Sequence, residues 1–235
     1  MTGSLSGKRT GLHAPRTQRI AGWCGLVFTI LSLAVIPLTA SGTTALPALG
    51  GSAEGFARWY AEHRTGFLVG NYLGIAAFVP GFVQLAVLSA RFRSRDDEES
   101  WFGAFVLATG TFTYAVLACS LVVFQVLPFL IDPASPQAML AMGSLGSVWF
   151  ALDGLAAVPF LLAVGWATLA TKDVLPRGFA TFTWVVIVLA FVMSLGGIWI
   201  QPAWLAGGGP ATIAGFCAFF GWTGVLAVVM LRSAR

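Results

Sequence analysis

The stretch WFGAFVLATGTFTYAVLACSLVVFQVL, residues 101–127, contains no charged side chain and no proline before Pro128 ends it. At 1.5 Å per residue an α-helix of this length reaches about 40 Å, whereas a bilayer's hydrocarbon layer is roughly 30 Å thick and needs about 20 apolar residues to cross. A core helix of a soluble protein has no use for such a run. The rest of the 235-residue chain agrees: 57% of it is hydrophobic and only 9% charged, against about 25% charged in ordinary soluble domains. A soluble fold with so little charge would expose large apolar patches.

Working outward from residues 101–127, similar runs predict six spans, at about residues 20–40, 66–90, 101–127, 144–170, 178–200 and 210–231. The fold class is therefore all-α: a polytopic six-transmembrane-helix bundle. Residues 1–19 read as a disordered basic tail carrying Lys8, Arg9, Arg16 and Arg19, and residues 232–235 as a second short tail. The first run has two readings. It is a retained span or, because small residues follow Pro37, the core of a cleaved signal peptide. The apolar character before the fourth span begins near Ala138, and Gly143 and Gly146 suggest a separate shallow piece or a bend there.

The longest connection, residues 41–65, carries the one substantial element outside the spans. Ser52 stands where a helix N-cap belongs, followed by AEGFARWYAEHR. Glu54, Arg58 and Glu62 fall one turn apart on a charged stripe, with Phe56, Trp59, Tyr60 and His63 on the other flank. Such an amphipathic aromatic helix is expected to lie along the headgroup region.

Lysines and arginines divide unevenly between the two sides these spans create. Eleven fall on the side of the termini (Lys8, Arg9, Arg16, Arg19, Arg91, Arg93, Arg95, Lys172, Arg177, Arg232 and Arg235), and only Arg58 and Arg64 on the other. Basic residues are retained on the cytoplasmic side, so both termini are predicted to be cytoplasmic. The net charge of +4 thus reflects orientation, and nucleic acid is not an expected partner.

Asp153 is the one ionisable residue within a span, the usual starting point for a functional site. It lies 19 residues before Lys172, about 28 Å of helix, which puts it near the outer interface. The same counting brings Asn71, Gln125 and Gln201 to a similar depth, level with Glu62 and His63. Two readings follow: an outward-facing polar pocket built from Glu62, His63, Asn71, Asp153 and Gln201, or separate residues wetted by headgroups. Small residues spaced by four, Gly70/Gly74 extended by Ala77 and Gly81, then Ala211/Gly215 and Ala214/Ala218, predict close helix contacts. Pro80 and Pro159 are possible sites of helix bending.

Several chemistries lack their residues. No histidine lies in a span, which removes a bis-histidine haem or a histidine-based intramembrane dyad. Lys8 and Lys172 lie outside the bundle, so no Schiff-base lysine is available. Cys24, Cys119 and Cys217 are dispersed in apolar segments and read as small buried residues without disulfide or metal role. Gly143-Ser144 and Gly146-Ser147 have no accompanying base. No catalytic residue, cofactor or metal is expected.

The stretch FARWYAEHR (56–64) with GNYLG (70–74), and KDVLPRG (172–178) leading into a last helical hairpin, resemble a family of uncharacterised six-span bacterial membrane proteins of actinobacterial type, grouped as a domain of unknown function. The resemblance implies a bacterial cytoplasmic membrane and six spans, and carries no site residue. The expectation is an integral membrane protein, non-enzymatic, that binds a lipid or hydrophobic ligand or serves as an accessory subunit, with membrane lipids and a second copy or another membrane subunit as partners. The alternatives are a small transporter or channel component entered from the outer polar cluster and, third, an enzyme acting at the outer interface.

Overall fold

A computed structural model describes residues 15–39, 52–93, 101–132, 134–171, 174–195 and 210–234. Seven α-helices account for nearly all of them: α1 (Pro15–Thr39), α2 (Ala53–Glu62), α3 (Arg64–Arg93), α4 (Trp101–Val126), α5 (Pro136–Ala170), α6 (Arg177–Leu195) and α7 (Pro210–Ser233). All but α2 are long and apolar enough to cross a membrane. The chain is a six-span integral membrane protein. Its outer surface fits that medium, with Trp23, Ile30, Val79, Phe112, Trp166 and Val188 all more than half exposed; in water these side chains would associate, and in lipid they are solvated.

Each spanning helix packs on the next in the chain, and α7 returns to α1, closing a ring of six. Among the described residues the ring has no central pore. Phe28, Tyr114, Phe160, Phe220 and Trp222 fill it, each at most 2% exposed, in tilted and edge-to-face pairs such as Phe28–Tyr114 at 5.1 Å and Phe160–Trp222 at 5.5 Å. Lipid tails are as apolar as leucine, so close backbone approach must supply the adhesion between helices. Gly81 faces the ring of Phe28, Gly74 lies between Leu121 and Val35, and Gly215 abuts Met193. These are the packing positions predicted for the third and seventh helices. Ala214 instead points outward.

Polar links join other helix pairs. Thr29 Oγ1 and Thr223 Oγ1 are 2.9 Å apart between α1 and α7, Gln84 Nε2 donates to Thr223 O, and Thr113 Oγ1 donates to Ala156 O at 2.8 Å. The α1 helix is wedged between α3 and α7 as an integral wall of the ring.

Three expectations are corrected. The α1 helix begins at Pro15, a residue whose fixed φ suits the first helical turn, so Arg16 and Arg19 belong to it and not to a tail. The α5 helix is one continuous element from Pro136 to Ala170 with Ser135 as its cap; the glycines read as a break are docking sites. At 35 residues it is about 52 Å long, well beyond the hydrocarbon layer, and its protruding first turns receive α2. Phe56 lies against Gly143, where any Cβ would overlap its ring, and Phe56 and Tyr60 are buried with Phe67, Phe124, Leu127 and Met139. The aromatic face of α2 therefore packs on protein, while Glu54, Arg58 and Glu62 stay exposed. Finally, Cys119 and Cys217 are exposed on the bundle's outer face and only Cys24 is partly covered.

Candidate functional site

At the α2 end, the residues predicted to form one pocket are separated. His63 caps α2: its backbone N–H and its ring Nδ1 both meet Trp59 O, at 3.1 and 2.8 Å, and the ring stacks on Trp59 at 4.4 Å. Those contacts fix it as part of the helix end. Glu62 is exposed. Gln201 lies outside the described residues. Burial holds the neighbouring Tyr60 phenol above its ordinary range, so it stays neutral and acts through packing. The Arg64–Asp132 ion pair, 3.7 Å and largely exposed, contributes little.

Asp153 and Asn71 are each 2% exposed and are not wetted by headgroups. Position along a helix axis says nothing about which face a residue occupies, and both occupy the inward face. Ser120 Oγ on α4 donates to Asp153 Oδ1 at 2.7 Å, while Asp153 Oδ2 and Asn71 Nδ2 have no partner among the described residues. Asp153 borders a void of about 10 Å³ enclosed by α1, α3, α4, α5 and α7, whose wall also includes Ser32, Gly74, Phe78 and Phe220. Asn71, Glu62 and His63 line neither this void nor the larger cavities at the other end.

The end that carries the termini holds the larger feature. A cavity of about 690 Å³ opens among the ends of α3, α5, α6 and α7, with Arg91, Arg177 and Arg232 on its wall beside Thr168, Thr171 and Ser233, and an apolar floor of Leu169, Val174, Leu175 and Val229. The arginines arrive from three different chain segments. Arg91 is fixed, donating to Val174 O at 3.0 Å and Ser233 Oγ at 3.2 Å, and so ties α3 to the α5–α6 connection and to α7. Arg177 and Arg232 are exposed. The hydroxyls of Thr168, Thr171 and Ser233 donate back to carbonyls of their own helices, and Ser233 Oγ also accepts from Arg91.

A second, apolar cleft of about 320 Å³ runs along the α6–α7 seam, lined by Pro176, Gly178, Phe179, Phe182, Val225 and Val229. It shares Pro176 and Val229 with the basic cavity, so the two adjoin along that wall. Gly178 keeps the cleft open: a Cβ there meets nothing within 4 Å. Sequence reading missed this site because each arginine is a familiar helix-end anchor; the hint available was Pro176-Arg177-Gly178, a cation beside a missing side chain. Among the described residues no cluster of histidine, cysteine, aspartate or glutamate could hold a metal. Comparison with protein-family profiles, curated proteins and solved structures finds no match to this chain.

Proposed function

We propose that this protein is a non-enzymatic membrane bundle of the bacterial cytoplasmic membrane that binds an anionic phospholipid at the end bearing its termini, with that end facing the cytoplasm. The observation that carries this reading is that the arginine-lined cavity adjoins the apolar α6–α7 cleft, with Pro176 and Val229 lining both. The first matches a phosphate headgroup, which arginine recognises through its forked donors; the second matches an acyl chain. Basic pockets between helices on the cytoplasmic side are suited to anionic headgroups, and that leaflet's negative potential concentrates them. The eleven-to-two bias in basic residues supports the orientation.

The test is lipid retention by native mass spectrometry of the purified full-length chain, with phosphatidylglycerol and phosphatidylcholine added in parallel. The wild type retains the anionic lipid preferentially. The Arg177→Ala/Arg232→Ala double variant loses about tenfold in that preference, the equivalent of about 1.4 kcal/mol. Gly178→Leu, which places a side chain on the cleft wall where a Cβ has open space, lowers retention of both lipids and leaves inorganic phosphate binding unchanged, separating a lipid site from an anion site. Equal retention of the two lipids by the wild type contradicts the reading.

A further inference from the structure

The void at the junction of five helices has a polar side that packing alone does not account for. Asp153 Oδ1 is satisfied by Ser120, but Oδ2 is buried without a partner among the described residues, and Ser32 on α1 lines the same void. A buried orphan oxygen costs about 1–3 kcal/mol, and more where the group is charged. The remaining walls, Val35, Leu117, Leu121, Phe150, Phe216 and Phe220 among them, offer no hydrogen bond. The volume of about 10 Å³ is at the size that admits a single water, which also needs at least two polar partners. It is too small and too apolar for a hydrated cation or an organic ligand.

Below the void, toward the terminal end, Phe28, Phe78, Tyr114 and Phe220 pack ring against ring and close it. On the other side, Asn71 stands one turn from Gly74 on α3, buried and with Nδ2 unpartnered. Asn71 does not itself line the void; it stands on the α2 side of it, and the aromatic layer stands on the other. No other titratable or charged side chain lines the void from α1, α3, α4 or α7; Tyr114 lies behind Phe78.

We propose that this void is a proton-exchange site: it holds one water that bridges Asp153 Oδ2 and Ser32 Oγ and exchanges protons, past Asn71, with the α2 end only. When Oδ2 gives a proton to the water, the water gives one on toward the α2 end; when Oδ2 takes a proton from the water, the water takes one from that side, so no other reactant is needed. The site is independent of the lipid cavity at the opposite end, and either can exist without the other.

The experiment is infrared difference spectroscopy of the full-length chain in lipid vesicles. The Asp153 carboxyl band is identified as the one lost in Asp153→Asn, and H2O is then exchanged for D2O. The band is expected to shift on exchange. Ser32→Ala, which removes only a hydroxyl, displaces the band itself by removing one partner of the water. Asn71→Leu slows the D2O shift about tenfold, a barrier of about 1.4 kcal/mol. Thermal unfolding of each variant in the same vesicles reports whether the fold is kept. A D2O-insensitive Asp153 band, or a band unmoved in Ser32→Ala, overturns the proposal; a shift as fast in a folded Asn71→Leu protein as in the wild type overturns the route. A high-resolution map with a water within hydrogen-bond reach of both oxygens supports it, and a dry void refutes it.

Discussion

Replacing Gly154 by leucine is expected to abolish assembly of the bundle, seen as loss of a monodisperse, cooperatively melting species in detergent. A Cβ on Gly154 would overlap the backbone carbonyl oxygen of Ala190 on α6 and lie 3.2 Å from Met193 Cβ. A flexible side chain could yield, but a helix backbone moves only if α5 and α6 separate. Their seam would then lose the packing that holds helices together in lipid, where no hydrophobic effect substitutes for it. Even Gly154→Ala should cost about 3 kcal/mol, at the upper end for overpacked interiors. Gly178→Ala, on α6 itself but facing open space, is the matched control and should leave the melting temperature unchanged.

Trp222→Ala is expected to destabilise the protein by about 3–5 kcal/mol, the range for removing a large buried aromatic. Its indole is fully enclosed and packs against Phe160, Phe179 and Phe219. Its Nε1–H donates to Thr183 Oγ1 at 2.9 Å, joining α7 to α6. A Thr183→Val partner variant separates the two contributions. The coupling between the two residues should be only about 0.6 kcal/mol, the mean for side-chain hydrogen bonds between helices in a membrane; Thr183→Val alone, which leaves the buried indole N–H without its acceptor, should cost about 1–3 kcal/mol, less than Trp222→Ala. Thermal unfolding followed by tryptophan fluorescence or circular dichroism reads each variant. A Thr183→Val loss as large as that of Trp222→Ala would show that the polar link, not the packing, holds the ring closed.

Spans are legible in a sequence because solvation by lipid acts on composition over 20 residues, a property that needs no neighbour to be known. Residues 101–127 announce α4 to within a residue of its observed end, and Ser52 announces α2 through a local cap. What sits against what is a different kind of information. Gly143 looks like a helix breaker until Phe56, 87 positions earlier, is seen to occupy the space it leaves. For Asp153 and Asn71 the sequence leaves a shared pocket and separate wetting by headgroups both open, and burial removes the second; the facing of a residue in an all-apolar helix leaves no amphipathic trace to read. His63 was grouped with them by depth, while its bonds go to its own helix. The cavity of Arg91, Arg177 and Arg232 requires three separate helix ends to converge, and no spacing within the chain encodes that.

The assignment of that cavity to an anionic cytoplasmic leaflet rests on the orientation of the bundle. Labelling with a membrane-impermeant maleimide in intact bacterial cells tests it most directly, with Cys24, Cys119 and Cys217 replaced by alanine and a single new cysteine introduced at an exposed position of each end. Arg58→Cys, on α2, should be modified in intact cells, and Arg16→Cys, at the start of α1, only after the cells are opened. Modification of Arg16→Cys from outside, with Arg58→Cys protected, would contradict the account.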